Sequence, residues 1–114
     1  MRGTLDLALE LSCEFANFYA AMAYPGSRLY TLALERGWAL PETWIGYSQH
    51  AYETLPLPTE HLSAGEVLRF RDEAFHTYFG HPRYLERVER TFGRACVEHV
   101  LEMGRHRLSR KYLA

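Results

Sequence analysis

Cysteine is scarce: Cys13 and Cys96 stand far apart, and no C-x-x-C pair occurs. A zinc or iron–sulfur site made of cysteine alone cannot be built from two thiols. Nothing in their spacing supports a disulfide, and two free thiols suit a reducing cytoplasm. Long apolar runs are also missing. None reaches the roughly 18 residues that cross a bilayer. The opening "MRGTLDLALELSCEF" carries one Arg and scattered acids, which is not the pattern of a signal peptide. Charge of one sign is missing too. The 13 basic and 14 acidic residues leave a net charge of −1, so nothing favours nucleic acid or an anionic membrane. No G-x-G-x-x-G, P-loop, G-x-S-x-G or H-E-x-x-H motif is present, and there is no repeat or low-complexity stretch.

What is abundant is aromatic. Eight Tyr and six Phe help bring the aromatic share to 14% of 114 residues, suited to buried contact surface and to pockets for planar ligands. The length allows one domain at most. Residues 3–12 predict a helix, with Thr4 as a cap and Leu5, Ala8 and Leu9 on one face. Next, "CEFANFYAAM" reads as a strand apolar on both faces, the habit of parallel sheets. "AYPGS" stops it with a Pro25–Gly26 turn, Ser27 caps the following helix, and Gly37 closes that helix. Helix–strand–helix is one step of an α/β repeat. Residues 38–62 form a long connection, broken by Pro41, Pro56 and Pro58 and rich in Trp and Tyr. Such a segment is usually functional. Ser63 and Glu66 make a capping box for a helix over 63–79. Pro82 opens another helix, and a last one runs from about Arg94 into a basic tail. The chain therefore divides as 1–37, 38–62 and 63–114.

Three places carry candidate chemistry. His99, Glu102 and His106 fall at i, i+3 and i+7, a spacing that suits zinc or iron. Without an evident fourth ligand, this polar stretch reads as a solvated charged face, and no metal site is assigned. His50 and Glu53, beside Tyr47 and Gln49 in the aromatic loop, could act as an acid–base pair or simply satisfy loop backbone. Met22, Ala23 and Tyr24 end the expected strand, where α/β sheets place ligands. Their bland alternative is a structural turn.

The stretch "CEFANFYAAMAYPGSRLY", followed by "GW" and "W-x-GYSQH", resembles the last strand–helix unit of the radical S-adenosylmethionine barrel. It is most similar to the cobalamin-binding enzymes related to anaerobic magnesium-protoporphyrin monomethyl ester cyclase. "PLPTEHLSAGEVLRFRDEAFHTYFGHPRYLERVERTFG" resembles the helical C-terminal region of the same proteins. The resemblance implies an α/β fold: the last helix–strand–helix unit of a partial TIM-type barrel, followed by a mainly helical C-terminal region. It implies S-adenosylmethionine, a 4Fe–4S cluster and cobalamin for full-length members. Met22, Ala23 and Tyr24 would lie near the adenosyl moiety. A loop with Trp44, Tyr47, Gln49 and His50 would lie on the substrate side.

The family's C-x-x-x-C-x-x-C cluster loop is absent from this chain, as are the cobalamin domain and most of the barrel. The expected function is thus a C-terminal fragment or split piece, not catalytic alone and without cofactor of its own. Its expected partner is the remainder of the barrel, or a second copy through self-association. A small helical binding or regulatory module acting with a partner subunit is the alternative. A third reading is a small autonomous enzyme using His50 and Glu53. Anaerobic reconstitution of the purified chain is expected to yield no stoichiometric iron or sulfide, because the family loop supplies three thiolates and this chain has two cysteines in all. One four-iron cluster per chain would refute this.

Overall fold

The computed structural model of the chain describes residues 1–113. Helix accounts for 54% of it, and no strand occurs among the described residues. The expected α/β unit of a TIM-type barrel is therefore corrected to an all-helical fold. Its helices are α1 (Arg2–Leu11), α2 (Arg28–Glu35), α3 (Ala64–Phe79), α4 (Pro82–Phe92) and α5 (Arg94–Arg105), with a short 3₁₀ turn at Trp44–Tyr47. The chain forms two compact units, both discontinuous in sequence, and α3 contributes residues to each.

The first unit comprises Met1–Phe18 and Asp72–Arg107. Its core is Tyr78, Phe79, Tyr84, Val88, Val97 and Val100, with Leu9, Phe18, Phe75 and Met103 packed around it. The aromatic rings meet mostly tilted or edge-on, as with Phe79 and Tyr84 at 5.4 Å and 87°, the arrangement that ring quadrupoles favour. α1 starts at Arg2 with no side-chain cap, so Thr4 does not cap it. It ends at Ser12, which adopts a left-handed conformation with φ 48°. At α4, Pro82 occupies the first turn, and the His81 ring accepts the Arg83 N–H at 3.2 Å. Gly93, with φ 89°, separates α4 from α5, which pack on each other. α5 stops at Arg105, so Leu108 and the rest of the basic tail lie beyond the helix they were expected to join.

Why the predicted strand is not one is visible in its carbonyls. Three successive carbonyl groups take side-chain donors, one at the end of α1 and two at the start of this stretch. Arg87 Nη1 donates to Ser12, the Tyr78 hydroxyl to Cys13, and the Tyr84 hydroxyl to Glu14 at 2.8 Å. Successive peptide groups of a strand point to opposite edges, so one neighbouring strand serves only alternate carbonyls. Here α3 and α4 supply what a sheet would. Cys13 and Cys96 are both free thiols.

The second unit comprises Tyr19–Arg71 and residues 108–113. Ala23, Ala33 and Leu57 form its core, with Tyr30, Trp38 and Leu40 against them. The backbone at residues 20 and 21 is again met without a ladder. The Gln49 side-chain amide bonds both polar groups of Ala20, at 3.0 and 2.9 Å, and the Leu57 N–H donates to the Ala21 carbonyl at 2.9 Å. Ser27 Oγ accepts the Tyr30 N–H at 3.2 Å and so starts α2. Gly37, with φ 64°, lets the Trp38 N–H return to the Ala33 carbonyl. At the head of α3, Glu66 Oε2 accepts from the Ser63 N–H and hydroxyl, both at 2.8 Å, and Ser63 Oγ accepts the Glu66 N–H at 3.2 Å. These bonds to Ser63 hold the Glu66 carboxyl below its ordinary value.

Burial pushes the Tyr78 and Tyr84 phenols up from their ordinary value. A raised phenol contributes stability that is complete below the unfolded value, about pH 10, and is lost as pH rises through the folded one. Tyr84→Phe leaves the Glu14 carbonyl without this donor. It is expected to cost about 1–3 kcal/mol in urea unfolding at pH 7 and to flatten the loss of stability above pH 10. Unchanged stability and an unchanged alkaline limb would contradict the clamp.

Candidate functional site

The best candidate site is a stack of three aromatic rings in the second unit. Tyr24 and Tyr47 stack with centroids 5.7 Å apart and planes at 27°. Trp44 leans on Tyr47 at 5.6 Å and 46°. The middle ring is buried, while Trp44 is 72% and Tyr24 50% exposed, with Ile45 exposed beside Trp44. Burial raises the Tyr47 phenol above its ordinary value, so the ring stays neutral.

Each ring is placed by local chemistry. Tyr24 opens the turn in which its carbonyl takes the Ser27 N–H at 3.0 Å, and Gly26 supplies the positive φ, 87°. Trp44 and Tyr47 sit at the two ends of the 3₁₀ turn. That turn passes Pro41 so closely that a Cβ on Gly46 would lie 2.5 Å from Pro41 Cβ. Glycine is therefore a packing requirement there.

The loop after the turn is pinned by buried polar side chains. Arg110 is 8% exposed and reaches in from the tail. Its Nη2 donates to the Gln49 carbonyl at 2.8 Å, and its Nη1 donates to the Ala51 carbonyl and Thr54 Oγ1, both at 2.9 Å. The Thr54 hydroxyl, fully buried, lies 2.6 Å from the Ser48 carbonyl and 2.7 Å from that of Ala51. The Lys111 N–H donates to the Tyr52 carbonyl at 2.9 Å. Ordering this loop is thus part of folding, which lowers the backbone entropy lost when the rings are covered.

The sequence-predicted residues are distributed as follows. Met22 and Ala23 are buried, at 5% and 3% exposure, so their side chains serve the core. Of the three expected cofactor contacts, Tyr24 alone presents its side chain to solvent, and it stacks on Tyr47 of the expected substrate-side loop, whose other side meets Trp44. Gln49 is spent on Ala20. His50 Nε2 lies 3.1 Å from Nη2 of the buried Arg71. Arginine only donates, so this contact needs the Nε2 lone pair and a neutral ring carrying its proton on Nδ1. His106 follows the end of α5 with extended backbone, and Glu102 pairs with Arg105 at 2.9 Å. The spacing His99–Glu102–His106 therefore does not make one helical face. Among the described residues no group of three His, Cys, Asp or Glu side chains could hold a metal. The two cysteines do not fit a four-iron cluster on their own. No helix among the described residues is long and apolar enough to cross a membrane.

Arg110, Thr54 and Arg71 were not legible as site residues. The one signal was that Arg110 follows the stretch Gly104–His106, where a helix could stop. No protein-family profile, curated protein or solved structure matches the chain.

Arg110→Met is expected to leave the Gln49 carbonyl without its Arg110 donor, at about 1–3 kcal/mol, while the Ala51 carbonyl keeps the Thr54 hydroxyl and N–H. Hydrogen exchange should rise across residues 48–57, with little change at the Ser63–Glu66 end of α3. Exchange unchanged in the loop would show that Arg110 does not pin it.

Proposed function

We propose that the chain works as a non-catalytic piece of a cobalamin-type radical S-adenosylmethionine protein, applying the Trp44–Tyr47–Tyr24 face to the substrate side of the polypeptide that carries the chemistry. The observation that carries this reading is the exposed ring stack held on a pinned loop. Large apolar rings set rigidly in water are stabilised by cover, and a preorganised aromatic surface is what interface anchors are made of. The family assignment rests on the sequence resemblance. S-adenosylmethionine, the 4Fe–4S cluster and cobalamin would belong to the partner polypeptide. The two free thiols suit a cytoplasmic setting.

The helical regulatory module remains a second reading, favoured by the all-helical fold. It predicts that this chain's own helices shield both indoles, and the exposure of Trp44 argues against that.

The test uses Trp38→Phe, which leaves Trp44 as the single indole. Its emission should be readily quenched by iodide in the chain alone. It should become protected when a cobalamin-type radical S-adenosylmethionine protein lacking the matching C-terminal region is added. No protection and no co-migration at saturating concentration would overturn the proposal. Protection that grows with the chain's own concentration, without the partner, would replace it with self-association.

A further inference from the structure

We propose that the cleft beside α4 in the first unit binds a phosphate group, whether free phosphate or a small monoester. The cleft has a volume of about 350 Å³ and is lined by Ser12, Arg83, Glu86, Arg87 and Arg90. This is the lower end of the range for small-molecule sites, and its lining is polar. The four α4 residues recur at i, i+3, i+4 and i+7, so they share one face of the helix.

The three arginines are not equivalent. Arg87 forms the wall: its guanidinium is engaged by the Ser12 carbonyl and by Glu14 Oε1 at 3.0 Å. Arg83 and Arg90 are exposed, and their guanidinium groups make no ion pair or hydrogen bond among the described residues. Glu86, also exposed, opposes them with one charge. Two guanidinium groups against one carboxylate leave the cleft positive. Arg83 stands in the first turn of α4 and Arg90 in the last, so the cleft's positive charge comes from the side chains and not from the helix dipole. Arginine forks match phosphate oxygens two at a time.

The larger concavity of the same unit, about 410 Å³, is also lined by arginines, Arg105 and Arg107. It is lined by fewer free cations, because Arg105 already pairs with Glu102. The smaller cleft is therefore the better anion site. This inference is independent of the radical-enzyme reading.

Titration of the full chain with inorganic phosphate and, separately, with glycerol phosphate, followed by amide NMR at low salt, tests it. Shifts should centre on residues 12 and 83–90. Arg83→Gln and Arg90→Gln should each weaken binding about tenfold, the loss of one charge-assisted hydrogen bond. Glu86→Gln should tighten it. Arg94→Gln, whose arginine is paired with Glu89 and Glu98 outside the cleft, should leave it unchanged. All four residues are exposed, so the variants are expected to fold. Tighter binding of the monoester would identify a phosphate ester as the ligand, and equal binding would identify the phosphate group itself. No shifts with either probe, or equal weakening by Arg94→Gln, would overturn the proposal.

Discussion

A carbonyl taken out of water must meet a donor, and in this chain that requirement decides the fold around residues 12–21. Leaving one unmet costs about 1–3 kcal/mol, more than a typical made bond returns. In the first unit the donors are Tyr78, Tyr84 and Arg87. Because they come from α3 and α4, the same contacts that satisfy Ser12, Cys13 and Glu14 also fix how those helices turn their faces to the extended segment. The two phenols are at once core rings and hydrogen-bond donors, and the aromatic cluster of Phe79 and Tyr78 is built around that double use. In the second unit Gln49 does for Ala20 what a strand would have done, with one side chain offering both a donor and an acceptor.

The parts of the fold legible in the sequence were those encoded locally. Ser27 before α2, the Ser63–Glu66 box before α3, Gly37 after α2 and Pro82 at the head of α4 each act on atoms within a few residues. The strand was misread because strand propensity describes a surface looking for neighbours, and it is silent about whether side chains will serve instead. Tyr78, Tyr84 and Arg87 lie 65, 70 and 75 residues from the carbonyls they hold, with no periodic mark to betray them. The candidate site was legible in halves. Tyr24 and the Trp44–Tyr47 pair were singled out for different reasons, while the bonds that order the loop between them and the core run through Arg110, Thr54 and Arg71. Those residues look like ordinary surface polar groups until the structure buries them.

The two units carry opposite kinds of surface. The second exposes flat apolar rings on an ordered loop, suited to excluding water from a partner. The first exposes guanidinium groups on a strongly two-sided helix, suited to a small charged ligand. His50, the residue best suited by type to acid–base work, is held by Arg71.

Arg110 also sets an order of events during synthesis. It is made 61 residues after Gln49, whose carbonyl it holds. Until it emerges, the backbone of residues 49–54 lacks this clamp and relies on Thr54, on its own turns and on the Gln49–Ala20 and His50–Arg71 contacts, and a contact of such long range is slow to close. α2, with its cap and its closing glycine nearby, has all it needs much earlier. The ring-bearing loop is therefore the part of its unit that reaches its final geometry last, and a ribosome-bound chain lacking Arg110 presents those rings on a loose tether rather than on a fixed ledge.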